Sequence, residues 1–306
     1  RAAKVQDFAD QIARQGLRLA FTESMNSGQV ISLAKYMPLI CITLLRNLSL
    51  AAVTKFPWEE EIPVSGNAFA PGREFIRREP VGVCVGISPW NYPMYIAFWK
   101  IAPALLMGNT MVLKPASYTP LTSLIVAEAA KAAGIPDGVF NVIPGPGREL
   151  GEILCTHPDV DKIGFTGSTE VGREIMRMAA GTIKKVTLEL GGKSANIILD
   201  DTDMELAVEG ALFSNFFHQG QVCSSGSRVL VPSKIHDEFL DKMIKRAESI
   251  RIGYQMDETS HMGPLVSKQQ LATVERYVKL GKEEGAELIT GGKRVEMPGL
   301  EGGYYY

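Results

Sequence analysis

Residues 81–114 read Val81-Gly82-Val83-Cys84-Val85-Gly86-Ile87-Ser88, then Pro89-Trp90-Asn91-Tyr92-Pro93, then an apolar run over 96–107 stopped by Gly108, then Thr110-Met111-Val112-Leu113-Lys114. The first segment is a glycine-dotted buried strand. The apolar run has the length and the glycine stop of a helix, and the last segment is a short strand. Strand, helix and strand in immediate succession are the unit of a parallel sheet with a crossover helix. The pattern continues downstream. Thr119 caps a helix with Pro120 at its first position and Gly134 as its close. A strand at 140–143, a short helix at 148–156, a strand at 160–165, a helix at 168–180 and a strand at 186–190 follow.

On the amino-terminal side, Ala2, Val5, Phe8, Ala9, Ile12, Ala13 and Leu17 recur at helical spacing. A second apolar helical stretch covers 30–53, with a break near Pro38. Residues 57–80 change character, with Pro57, Pro63, Gly66, Pro71, Gly72 and Pro80 around Phe75-Ile76-Arg77-Arg78. That composition predicts an extended excursion or hairpin. Beyond Gly191-Gly192, a plausible domain seam, comes a second α/β stretch. It has strands at 195–199 and 228–231 and helices at 204–216, 235–250 and 268–284. The reading is therefore α/β throughout, with one domain over 1–190 and a second over 191–306.

Composition narrows the function. The chain has 306 residues, 45% hydrophobic and 22% charged, which excludes disorder and is long enough for two domains. Lys and Arg number 32 against 34 Asp and Glu, a net charge of −2, with no dense basic run to track a nucleic acid backbone. The longest apolar runs, such as 37–45, fall short of the roughly 18 residues a membrane span needs. The cysteines (41, 84, 155, 223) and histidines (157, 218, 236, 261) are scattered. Neither set has metal-ligand spacing, so no metal is expected, and unpaired thiols fit a reducing, cytoplasmic compartment. The chain starts at Arg1 and ends at Gly303-Tyr304-Tyr305-Tyr306, which reads as the start of a strand, so a fragment of a longer polypeptide is expected.

Several positions could carry chemistry. Gly145, Gly147 and Gly151 lie between a strand and a helix, one residue too widely spaced for a dinucleotide fingerprint, and a plain turn explains them. Gly164-Phe165-Thr166-Gly167-Ser168-Thr169 also joins strand to helix, where free N–H groups and the Ser168 hydroxyl can bind a pyrophosphate or simply cap the helix. Cys223 sits among small, flexible residues, as a nucleophile or a loop thiol. Cys41 and Cys84 stand in apolar runs as packing thiols. Glu189 falls in a buried-strand pattern. It is either a base or one half of an ion pair with Lys184, Lys185 or Lys193, and the glycines after it leave room for water or ligand. Asn91 is an Asx turn or an amide aimed at a developing oxyanion. Lys114 is a solvated charge or a contact for a ribose or phosphate.

Taken in order, Ser-Pro-Trp-Asn-Tyr-Pro, Lys-Pro-Ala, Gly-Phe-Thr-Gly-Ser-Thr, Leu-Glu-Leu-Gly-Gly-Lys and Gly-Gln-Val-Cys resemble the NAD(P)-dependent aldehyde dehydrogenase superfamily over essentially the whole chain. Each motif alone is weak, and five in register are specific. The resemblance implies a Rossmann-type cofactor domain (1–190), an α/β catalytic domain (191–306, incomplete at its end) and an extended oligomerisation arm (57–80). It implies Cys223 as nucleophile, Glu189 as general base and Asn91 as oxyanion donor. Cofactor contacts fall on Ser88, Pro89, Trp90, Lys114, Ser117, Gly147, Gly167, Ser168, Val171 and Leu190, and the substrate tunnel on Tyr92, Trp99 and Phe217, for which core packing is the alternative. The implied cofactor is NAD. Many NAD-preferring relatives carry Glu where this chain has Ser117, so NADP is admitted too. The implied partners are a small aliphatic, aromatic or betaine-type aldehyde and further copies of the chain in a homodimer or homotetramer, with neither nucleic acid nor membrane. The alternatives are a non-catalytic structural member of the fold and a coenzyme-A-acylating relative, which Glu189 disfavours. Three further departures stand out: His218 occupies a position where Asn is common, and a later Glu-x-Phe-Gly-Pro segment and a carboxyl-terminal strand are missing.

Overall fold

The computed structural model describes residues 1–62 and 72–306. Four helices open the chain: α1 (Ala2–Arg14), α2 (Gly16–Ser27), α3 (Ile31–Ala34) and α4 (Tyr36–Thr54). The interruption in the second apolar stretch falls at Lys35, not at Pro38. Pro38 sits in the first turn of α4, where its missing N–H leaves no intrahelical bond unmade. Residues 31–54, with a mean hydropathy of 1.6, are long and apolar enough to cross a membrane by length and composition, more than the expected short run. In the fold, Met37, Cys41, Ile42, Leu45 and Ala52 face the core, against α1 among others.

Strands β1 (Glu59–Ile62) and β2 (Glu74–Arg77) form an antiparallel hairpin, exposed along both strands. The excursion expected at 57–80 is thus a hairpin in its described part; Pro63, Gly66 and Pro71 lie outside the described residues.

The central sheet contains β3 (Val83–Ile87), β4 (Thr110–Lys114), β5 (Phe140–Val142), β6 (Lys162–Gly167) and β7 (Lys185–Leu190), all parallel, in the order β5-β4-β3-β6-β7. Helices α5 (Pro93–Leu106) and α6 (Leu121–Ala132) join α1 and α4 on one face, around Phe8, Phe98 and Ile101. On the other face, α7 (Gly147–Thr156) and α8 (Thr169–Ala180) bury Leu154, Cys155, Ile175 and Ala179 against Val85, Ile163 and Phe165. This is the doubly wound arrangement, in which ligands bind beyond the strand carboxyl ends where the order reverses, here between β3 and β6. The Thr119–Pro120 cap is corrected: Pro120 is itself the cap of α6, and the buried Thr119 hydroxyl has no hydrogen-bond partner.

A separate parallel pair, β8 (Ala195–Ile197) and β9 (Arg228–Leu230), packs with α9 (Met204–Phe216) and α10 (His236–Glu248) around Val208, Leu212 and Phe239. Helix α11 (Lys268–Glu283) follows, capped by the Ser267 hydroxyl. The last residues form no strand, although Leu265 N–H donates to Tyr304 O and Val295 N–H to Tyr305 O.

Candidate active site

The carboxyl ends of β3, β4 and β6 present Ile87, Lys114 and Phe165 to a cavity of about 770 Å³, closed by Gly147, Arg148, Val171 and Glu174 from α7 and α8. Lys114 is buried, which removes the solvated-charge alternative. Its Nζ donates to Pro115 O at 3.0 Å, and burial pushes its pKa down. Ser168 is the cap of α8, accepting the Val171 N–H at 3.3 Å, so capping is real at this residue. The exposed Ser117 hydroxyl donates to Gly145 O at 2.9 Å. Leu190 packs on α8 at Gly172, where a side chain would collide with it. Ser88 N–H donates to Lys114 O, and the Ser88 hydroxyl is buried without a partner, next to half-buried Pro89 and Trp90.

Asn91 lies in the turn between β3 and α5. Its Nδ2 closes no local turn: it donates to Gln221 O at 2.8 Å, across 130 residues of sequence. In return, His218 Nε2 lies 2.7 Å from Asn91 O. A carbonyl only accepts, so Nε2 carries the proton. The loop before Cys223 is thus fastened to Asn91. Among the four cysteines, Cys223 alone is exposed. Its carbonyl lies beside Gly192, and its charge is close enough to add to the burial that raises the Tyr92 hydroxyl pKa. Asn91, Tyr92, Gly192 and Cys223 therefore converge.

Glu189 departs from the expectation of burial. β7 is an edge strand with strict alternation: Val186, Leu188 and Leu190 face α8, while Lys185, Thr187 and Glu189 are exposed. None of Lys184, Lys185 and Lys193 pairs with it; the Lys184 and Lys193 ammonium groups donate to backbone carbonyls. Glu189 instead shares a cavity of about 510 Å³ with Trp99, Lys100 and Thr187. Burial pushes Lys100 down to about 8, opposed by the Glu189 charge. Glu189 is thus three residues from the Gly192 contact with Cys223, on the face that Lys100 overlies.

The tunnel candidates separate. Trp99 is 56% exposed, so it is not core. Tyr92 is buried, its ring 4.9 Å from that of His218, and the Phe217 ring lies tilted against Phe213 with centroids 4.5 Å apart. Tyr92, Tyr95 and Trp99 form a ladder of edge-on rings, with centroids 6.4 and 5.7 Å apart. Sequence reasoning missed Tyr95 and Lys100. The spacing of Tyr92, Tyr95 and Trp99 on one helical face, and a single lysine in an otherwise apolar helix, were the available signals.

The sequence model described as "Aldehyde dehydrogenase family" matches residues 1–306. The chain belongs to the aldehyde dehydrogenase family. Betaine aldehyde dehydrogenase of Bacillus subtilis is 53% identical over 231 residues, 76% of this chain and 47% of that protein. Human 4-trimethylaminobutyraldehyde dehydrogenase is 50% identical over 248 residues, 80% of this chain and 49% of that protein. Among solved structures, betaine aldehyde dehydrogenase from Staphylococcus aureus in complex with NAD+ superposes with a TM-score of 0.96 at 39% identity, covering all of this chain and 60% of that one. This aldehyde dehydrogenase chain thus spans about half the length of the curated relatives it matches. The α/β fold with a Rossmann-type sheet is the family's.

Proposed function

We propose that the protein carrying this chain oxidises an aldehyde to its carboxylic acid, with Cys223 as nucleophile and NAD+ as hydride acceptor. The observation that carries this reading is the convergence of Asn91, Tyr92, Gly192 and the one exposed thiol beyond a doubly wound sheet whose carboxyl-end cavity has room for a cofactor.

The dinucleotide fits this chain. The Ser88 hydroxyl is buried and unpartnered at the end of β3, Lys114, Gly147 and Val171 line the cavity, Gly167 and Ser168 lie in sequence between its lining residues Phe165 and Val171, and Ser117 is bonded to Gly145, two residues before Gly147. NAD+, when bound, supplies the hydride acceptor. Ser117 carries no charge to repel a 2′-phosphate, so NADP is admitted as well.

The thiolate of Cys223 adds to the carbonyl carbon, and the π electrons move to oxygen. The Asn91 amide has a second N–H beyond the one given to Gln221, and with the Cys223 backbone N–H it stabilises that oxyanion. Collapse re-forms the carbonyl, expels hydride and leaves a thioester on Cys223. Glu189 takes a proton from water, whose oxygen attacks the thioester and releases the acid.

Tyr92, Tyr95 and Trp99 offer π faces suited to a cation, and the relatives named above act on trimethylammonium aldehydes by name. We take a betaine-type aldehyde as the substrate class. Residues 1–190 serve the cofactor, 191–306 carry the thiol, and the 57–80 arm, exposed along β1 and β2, joins copies into a homodimer or homotetramer. Four free cysteines support a cytoplasmic location.

The test is NADH formation over an aldehyde panel that includes betaine aldehyde, for the full chain and for Cys223→Ala. The reading requires the variant to be inactive. Undiminished turnover in Cys223→Ala would overturn it, and a preference for uncharged aldehydes would overturn the substrate class alone.

A further inference from the structure

We propose that His218 is a positioning residue, holding the Asn91 loop at its working distance from the nucleophile loop. The inference rests on the reading of Asn91 and Cys223 given above.

Two loops meet here, one carrying Asn91 and the other residues 217–223. Two hydrogen bonds of opposite direction join them. His218 Nε2–H donates to Asn91 O at 2.7 Å, and Asn91 Nδ2–H donates to Gln221 O at 2.8 Å. One residue is therefore gripped through both its backbone and its side chain, which fixes the direction of the amide. A single bond would leave the loop free to pivot about it.

The rest of the environment of His218 commits the ring to this task. It is 3% exposed and tilts against Tyr92, the neighbour of Asn91. Its Nδ1 is buried without a partner among the described residues. Burial pushes its pKa down to about 4, so at neutral pH the ring is uncharged with one N–H to give. Its backbone is left-handed, at φ 49° and ψ 46°, as is that of Gln219 at φ 56°. The Gln219 amide braces this unusual turn by donating to Gly28 O at 2.7 Å and Pro264 O at 2.8 Å. The turn presents the imidazole to Asn91 and leaves Cys223, five residues from His218, exposed.

The consequence is specific to the oxyanion step. Losing the His218 donor leaves the thiol and the cofactor cavity in place and lets the Asn91 amide drift. Misplacement of a catalytic group by about 1 Å lowers a rate by about 100-fold.

The experiment compares His218→Phe, which keeps an aromatic ring without a donor, with His218→Gln, whose amide nitrogen stands three bonds beyond Cβ, as Nε2 does. The readouts are the pre-steady-state burst of NADH with betaine aldehyde, the Kd for NAD+, the rate of Cys223 alkylation by iodoacetamide, and the melting temperature. We expect the burst to fall about 10- to 100-fold in His218→Phe and largely to recover in His218→Gln. Kd and alkylation should stay within about twofold of the parent, since neither uses the Asn91 amide. An unchanged burst in His218→Phe, or equal slowing in both variants, overturns the inference. Asn91→Ala serves as the reference: if it does not slow the burst, the oxyanion reading itself fails. If it does while His218→Phe does not, only the role of His218 falls.

Discussion

The ammonium of Lys100 donates to the hydroxyl of Thr166 at 2.6 Å, reaching across the face of the parallel sheet from α5 to β6. The stem of Lys100 lies over Gly86 and Gly164, paired residues of β3 and β6. A methyl group on Gly86 would meet the Lys100 Cδ at 3.3 Å and the Met111 Cε at 2.3 Å. The glycine dotting of β3 thus makes room for the half-buried Lys100 side chain beside Glu189.

Lys100→Met keeps much of the stem and removes the charge. The folded-state pKa of Lys100 is about 8, below its ordinary 10.5, so between those values the unfolded chain binds a proton that the folded chain lacks. Stability therefore rises with pH through that window, and the burden of the charged form is present in full below about 8. The melting temperature of the variant relative to the parent should be highest below pH 8 and decline toward pH 10.5. A difference that does not vary with pH refutes this account.

Glu23 on α2 is fully buried, and its Oε1 accepts the Met94 N–H in the first turn of α5 at 3.2 Å. Burial raises its pKa from 4.5 to about 7, against the opposing pull of that hydrogen bond. Here the folded state holds the extra proton. The stability contribution is complete below about 4.5 and is lost as pH rises through 7. Glu23→Gln removes this dependence and keeps an acceptor for Met94. Its melting temperature should gain on the parent between pH 4.5 and 7; no relative gain over that interval would refute the assignment.

Ser117→Glu tests the cofactor end. A carboxylate at this position would accept from a ribose 2′-hydroxyl and repel a 2′-phosphate. kcat/KM with NADP should drop by about 10-fold or more, while that with NAD holds or rises. Equal effects on both cofactors would place the adenosine ribose elsewhere.

The strand and helix alternation around 83–114 was legible because glycine stops and apolar runs are local signals, and the five motifs carried the family. The convergence of Asn91 with Cys223 could be read only through that resemblance, because the bonds that make it join residues 130 apart. Glu189 was misjudged as buried. A Val-Thr-Leu-Glu-Leu run does not reveal whether its strand is central or at an edge, and only the sheet order decides that. Lys100 was passed over because its neighbours read as core, although the core there has a glycine-lined opening.

Gly28, at φ 80°, ends α2 far along the chain from the reacting atoms, yet it offers its carbonyl to Gln219 and sits against Pro264, where an added methyl would fall 2.2 Å from the Pro264 oxygen. Three distant stretches of polypeptide thus meet at Gln219, four residues before Cys223. A side chain at residue 28 would therefore disturb the segment that leads to Cys223, although Gln219 lies 191 residues further along the chain.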